Sequence, residues 1–285
     1  MKLATVRDGD TTTVVRIDDD HDAVDLGVVD VGQLLATPDW REAATADGPH
    51  RDDRELDYAP LVLRPNKIVC VGLNYRTHIQ EMGRELPLFP TLFAKFSAAL
   101  IGAHDDIVLP AVSEEMDWEA ELGVVIGART RDIAPDDAHR AIAGYTVVND
   151  ITARDWQYRT LQWLQGKTFE STTPVGPHLV TSDEVNSDAR GLRITCEVNG
   201  ETVQDADTSD LVFGPSALVS YISTFVTLEP GDIIATGTPG GVGHARTPPR
   251  FLQEGDEVVT VIQGVGECRN PCWHKNRNRL DVEQS

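Results

Sequence analysis

In the stretch MDWEAELGVVIG, residues 116–127, two glutamates stand one residue apart at the head of an apolar, β-branched run. A strand alternates its side chains between faces. Glu119 and Glu121 would then share one face, with Trp118, Ala120, Leu122, Val124 and Ile126 on the opposite, packed one. Neighbouring carboxylates repel unless solvent or a cation lies between them. A third acid, Asp150, ends a second apolar stretch, YTVVND. Three such carboxylates make one face of an octahedral oxygen site and leave positions for water or substrate, which suits Mg²⁺ or Mn²⁺ better than Zn²⁺. The competing reading of the pair is a solvated strand edge with two exposed acids.

Other groups could serve such a site. Lys167, one of only five lysines, sits in the apolar-flanked stretch LQGKTFESTTPVGP. Near a metal it would stabilise oxyanion charge; its ordinary reading is a solvated amine. His78 and Glu81 are three residues apart, so a helical turn places them on one face. A carboxylate accepting from one ring nitrogen fixes the tautomer and leaves the other nitrogen as a base toward water, although a surface pair reads the same way. Arg154 beside Asp155 is either an internal ion pair or a site cation, and Lys95 in FAKFS could face the site, but no motif assigns it. The loop ATGTPGGVG lacks the Lys-Ser/Thr ending of a phosphate loop, so its glycines are expected to let backbone approach a small substrate closely.

Short strands must carry these residues. Residues 1 to about 45 hold two alternating stretches and a predicted helix around VGQLLATPDWREAA, and residues 46–60 are polar and charged like a linker. From 117 onward short apolar stretches with Gly/Pro punctuation dominate, interrupted by a predicted helix at SALVSYISTFVTL; Asn199-Gly200 in CEVNGETV signals a hairpin. The expectation is a mostly-β chain with some α: a small N-terminal domain and linker over 1–60, then a catalytic domain over 61–285.

The net charge is −21, from 29 Asp and 17 Glu against 20 Arg and 5 Lys. A surface this acidic argues against nucleic acid and anionic membrane as partners. It suits a protein kept soluble in high salt, or one from a genome that favours Arg codons. No uncharged apolar run reaches transmembrane length, and MKLATVRDGD lacks a secretory h-region, so the chain is expected to be soluble and cytoplasmic. Cys70 and Cys196 read as buried small hydrophobes, whereas Cys268-x3-Cys272-x-His274 only faintly suggests a metal knuckle.

Taken in order, VGLNYRTHIQEM, DWEAELGVVIG, NDITARDWQ, LQGKTFESTTPVGP and ATGTPGGVG resemble the fumarylacetoacetate hydrolase family over residues of about 65 to 275. The likeness is greatest to its shorter members: acylpyruvate hydrolases, oxaloacetate decarboxylases and the isomerase-decarboxylases of aromatic acid breakdown. The resemblance implies a mixed β-roll fold, a divalent metal and usually a homodimer. It makes Glu119, Glu121 and Asp150 the metal ligands and Lys167 the active-site lysine. It places Arg154 and Gln157 in an RDxQ block that contacts substrate, lets Thr238 bind a substrate oxygen, and puts His78 and Glu81 on a lid as a dyad. The implied substrate is a small 2-oxo acid, whose carboxylate and ketone chelate the metal so that an enolate can form on it. Hydrolysis of an acylpyruvate such as fumarylpyruvate is the first expectation. Oxaloacetate decarboxylation and isomerisation of a hydroxymuconate-type or 2-hydroxyhepta-2,4-diene-1,7-dioate diacid are the alternatives, and a metal-stabilised binding module is the non-enzymatic one. The tail GECRNPCWHKNRN has no counterpart in these expectations.

Overall fold

The structure, a computed structural model, describes residues 1–18, 21–81, 83–185 and 188–274. Strands dominate it, as the alternation in the sequence requires. The hairpin Lys2–Asp8/Thr11–Ile17 continues through Asp22–Asp25 to His50–Asp52, and its first strand pairs antiparallel with Thr173–Thr181. From there one 11-stranded sheet runs through Ile142–Asn149, Ala120–Ile126, Ile233–Ala235 and Ile68–Gly72 to Thr91–Lys95. The N-terminal strands and those carrying the candidate ligands are therefore hydrogen-bonded into the same sheet. A five-stranded sheet, ordered Glu201–Asp207, Arg193–Val198, Glu257–Ile262, Gly266–His274 and Ile107–Leu109, covers part of the first.

The strand Ala120–Ile126 departs from the expectation of one packed face, because every residue in it is buried. Leu122, Val124 and Ile126 join one apolar cluster, and Val125 joins a second on the other side. A strand at the centre of a sheet covered on both sides reads as a continuous apolar run. The carboxylates at its head are consequently enclosed rather than set on a wet edge.

Other local expectations are met in modified form. Asn199 and Gly200 both take positive φ (54° and 76°) between Arg193–Val198 and Glu201–Asp207, the geometry a two-residue hairpin needs. The helix expected over VGQLLATPDWREAA breaks into Val31–Ala36 and Trp40–Ala43, with Pro38 between them, where the ring disfavours helical backbone at Thr37. The helix in SALVSYISTFVTL spans Pro215–Ser223, with Pro at its first turn. Cys268 and Cys272 are buried on the strand Gly266–His274 with free thiols, and among the described residues they join no metal-binding group. No helix among the described residues is long and apolar enough to cross a membrane.

His178 on Thr173–Thr181 packs edge-on against Tyr58, with Nε2 3.3 Å from the phenolic oxygen. Burial, helped by the nearby Lys2 charge, pushes its ring down from 6.5 to about 4. Below pH 6.5 the unfolded chain takes up a proton that the folded chain refuses until about pH 4. Stability should therefore fall as pH drops through this window, by at most about 3 kcal/mol from this group. Chemical denaturation of the wild type and His178→Gln between pH 7 and 4 checks this: the difference between them should shrink as pH falls, and a constant difference would contradict it.

Candidate active site

Asp150 follows directly on the strand Ile142–Asn149, and its N–H donates to the Glu119 carbonyl (2.8 Å), while the Glu119 N–H donates to Asn149 Oδ1 (2.8 Å). These bonds bring the head of one strand to the end of its neighbour. As a result Glu119, Glu121 and Asp150 each offer an oxygen within 4.8 Å of the others. Among the described residues this is the one group of three metal-ligating side chains.

Burying these acids requires compensation. Lys167 Nζ donates to Glu119 Oε2 (2.5 Å) and Asp150 Oδ2 (2.8 Å), and Lys95 Nζ donates to Asp150 Oδ1. Arg154 pairs with Glu119 Oε1 (2.7 Å) and Asp117 Oδ2 (2.8 Å). The alternative left open for Arg154 thus closes against Asp155, which instead accepts from the Ser113 hydroxyl. Lys167 reaches its partners because Gly166 lets two short helices touch: a Cβ there would stand 2.5 Å from the Ala153 carbonyl oxygen and the Gln157 nitrogen.

Charge sets the protonation states. Burial opposes ionisation of Asp150, yet Lys167 and Lys95 outweigh it and hold the carboxyl below its ordinary range. For Lys167 the carboxylates of Asp150 and Glu119 overcome burial and hold the amine protonated far into alkaline pH. Glu121 differs. Burial, then Asp150 and Glu119, push its carboxyl well above the usual range, and its side chain accepts only the Gly237 N–H (2.8 Å), with no cation in salt-bridge reach among the described residues. An oxygen-only set with one uncompensated carboxyl fits a hard divalent cation such as Mg²⁺ or Mn²⁺. The carboxylate oxygens that meet Lys or Arg keep a further lone pair for it.

Asp117 ties this cluster to the glycine-rich loop. Its fully buried carboxylate accepts from Arg154 Nε and from the backbone N–H groups of Trp118 (2.9 Å), Gly243 (2.6 Å) and His244 (3.0 Å). The glycines of GTPGGVG serve the protein's own groups: Gly237 has φ +98° and a Cβ on it would lie 2.8 Å from the Val71 carbonyl oxygen.

A cavity of about 220 Å³ opens above the acids. His78, Glu119, Glu121, Arg154, Gln157, Lys167 and Thr238 line it, so seven of the nine residues singled out in the sequence meet in one place. Asp150 lies fully buried behind them, and the Glu81 side chain lies outside the described residues. Lys95, Asp117, Arg84 and His244 also belong to the site or its rim, and no motif in the sequence assigns them a role. Lysine scarcity and burial in an apolar segment were the available signal for Lys95, whereas Arg84 and His244 sit on the exposed rim with no motif to mark them.

Glu121→Gln tests the uncompensated carboxyl. In chelator the variant should melt above the wild type, since a buried carboxyl whose ionisation is opposed by burial, Asp150 and Glu119 has been replaced by a neutral amide. Mn²⁺ affinity, measured by calorimetry, should fall by more than the roughly 10–100-fold typical of losing an outer-layer partner. Lower apo stability with unchanged Mn²⁺ binding would contradict the assignment.

Comparison with known proteins agrees with this geometry. The chain is 47% identical over 227 residues to "Oxaloacetate tautomerase Fahd2a, mitochondrial" of Rattus norvegicus, covering 79% of this chain and 72% of that protein. The solved 5-carboxymethyl-2-hydroxymuconate delta-isomerase of Mycobacterium smegmatis is 32% identical with a TM-score of 0.81, covering 97% of this chain and all of that one. Maleylpyruvate hydrolase from Sphingobium sp. SYK-6, solved with manganese(II) and pyruvate, is 29% identical with a TM-score of 0.79 over 97% of this chain and all of that one. The rat relative is mitochondrial by name, which overturns the expectation of a cytoplasmic protein. A missing secretory h-region separates exported chains from retained ones and does not tell cytosol from an organelle. Residues 67–272 match the family model described as fumarylacetoacetate (FAA) hydrolase C-terminal, and the chain belongs to that family.

Proposed function

We propose that the protein is a divalent-metal-dependent enzyme that moves a proton between carbon and oxygen in a small 2-oxo diacid of the oxaloacetate type. The observation that carries this reading is the uncompensated Glu121 beside Glu119 and Asp150, at the closed end of a cavity whose other polar groups offer donors. The tautomerase name of the rat relative supports the reaction class, in preference to the acylpyruvate hydrolysis first expected from the sequence. The volume of about 220 Å³ lies below the ~300–1,000 Å³ of drug-sized sites and suits an acid of a few carbons.

A bound Mg²⁺ or Mn²⁺ held by Glu119, Glu121 and Asp150 would act as a Lewis acid on the 2-oxo group. The protein's own side chains do the rest. Lys167, held protonated by Asp150 and Glu119, supplies fixed positive charge for a developing enolate. Gln157 accepts from Arg154 through Oε1 (3.0 Å), which turns its amide N–H groups toward the cavity as donors. Arg84 at the rim has no carboxylate partner among the described residues and offers a cation to the far carboxylate of a diacid. His78, half-buried in the wall, is the group placed to exchange a proton with the carbon next to the ketone.

The reading is checked by following the enol absorbance of oxaloacetate with Mg²⁺ present, alongside cleavage of fumarylpyruvate. The wild type should equilibrate the enol, His78→Ala should be slower by roughly 10²–10⁴, and EDTA should abolish the activity. Cleavage of fumarylpyruvate faster than enol equilibration would return the reading to hydrolysis.

A further inference from the structure

Gln204 lies on the strand Glu201–Asp207, in the second sheet, and is almost wholly buried. Its Oε1 accepts the Ala120 N–H (3.0 Å), while its Nε2 donates to Thr238 Oγ1 (2.8 Å) and to the Pro239 carbonyl (3.0 Å). The amide cannot be flipped. Ala120 N–H only donates and a carbonyl oxygen only accepts, so exchanging Oε1 and Nε2 would break two bonds and set like against like. The two N–H bonds of Nε2 are both used.

This arrangement has a consequence for Thr238. A hydroxyl has one proton and two lone pairs. One lone pair of Thr238 Oγ1 is taken by Gln204, and among the described residues nothing accepts the Thr238 proton. Thr238 lines the cavity beside Glu121 and Lys167, so that proton has the cavity as its outlet.

We propose that Gln204 is a positioning residue that fixes the Thr238 hydroxyl as a donor into the cavity, so that the ligand atom met there must be an acceptor oxygen, a carboxylate or a carbonyl. The choice of ligand class rests on the reading that a small 2-oxo acid occupies the site. Ala120 lies between Glu119 and Glu121, so the same amide also sets the height of the Thr238 loop against the strand head. Gln204 touches no substrate in this account; it acts through Thr238.

Two measurements test this. The first is a double-mutant cycle on pyruvate binding, read by calorimetry on the Mg²⁺-loaded protein with Gln204→Met, Thr238→Val and the double variant. Each single change should weaken pyruvate by roughly 2- to 10-fold, the weight of one hydrogen bond, and the double variant should bind no worse than Thr238→Val alone. Gln204→Met also orphans the Ala120 N–H, so its melting temperature should fall in both backgrounds, which separates loss of stability from loss of the donor. Additive losses in affinity, or a Gln204→Met protein that binds pyruvate like the wild type, would overturn the proposal. The second is neutron diffraction of the ligand-free, deuterium-exchanged protein. The Thr238 deuteron should point into the cavity, and a deuteron directed at Gln204 would overturn the assignment whatever the protein binds. A deuteron in the expected place in a protein that binds no pyruvate upholds Gln204 and counts against the proposed substrate class alone.

Discussion

The structure depends on burying four carboxylates, those of Asp117, Glu119, Glu121 and Asp150, with three cations, Lys95, Lys167 and Arg154. Removing charges from water costs several kcal/mol per ion, and mutual attraction offsets this only when every remaining polar atom is satisfied. Here the partners come from four separate stretches of chain, at Lys95, 117–121, 150–154 and Lys167, so the cluster can form only when the central sheet is assembled. The imbalance it leaves falls on Glu121. If these acids hold a divalent cation as proposed, the stability of the empty site and its affinity for that cation would oppose each other.

Backbone geometry serves the same end. The glycine-rich loop comes down onto the cluster at two points, Gly237 on Glu121 and Gly243 with His244 on Asp117. A Cβ at Gly243 would stand 1.9 Å from the Arg250 carbonyl oxygen and 2.8 Å from Asp117 Oδ1. Between these anchors Gln204 reaches across from the second sheet to hold Thr238. The loop's backbone N–H groups thus serve the protein's own carboxyl groups.

What was legible in the sequence was local. The i, i+2 spacing of Glu119 and Glu121, the Asn199-Gly200 turn and the helix after Gly214-Pro215 follow from periodicity and turn chemistry, and the structure realises them. The order of motifs carried the family. What was not legible was set by distant pairing. Gln204 meets Thr238 34 positions away and Ala120 84 away, and Lys95 meets Asp150 55 away. Asp117 sat inside the motif, but its role depends on Gly243, 126 positions on. Whether the face carrying Glu119 and Glu121 is wet or dry depends equally on a second sheet that no window of sequence contains.

The central claim is that Glu119, Glu121 and Asp150 hold a divalent cation while Lys95, Lys167 and Arg154 stay paired around them. Anomalous diffraction from a Mn²⁺-soaked crystal measures both parts. The account predicts one anomalous peak in contact with an oxygen of each carboxylate at about 2.0–2.6 Å, with Lys167 still bonded to Glu119 and Asp150. A cluster that stays metal-free in saturating Mn²⁺, or a manganese that binds elsewhere in the cavity, would contradict it.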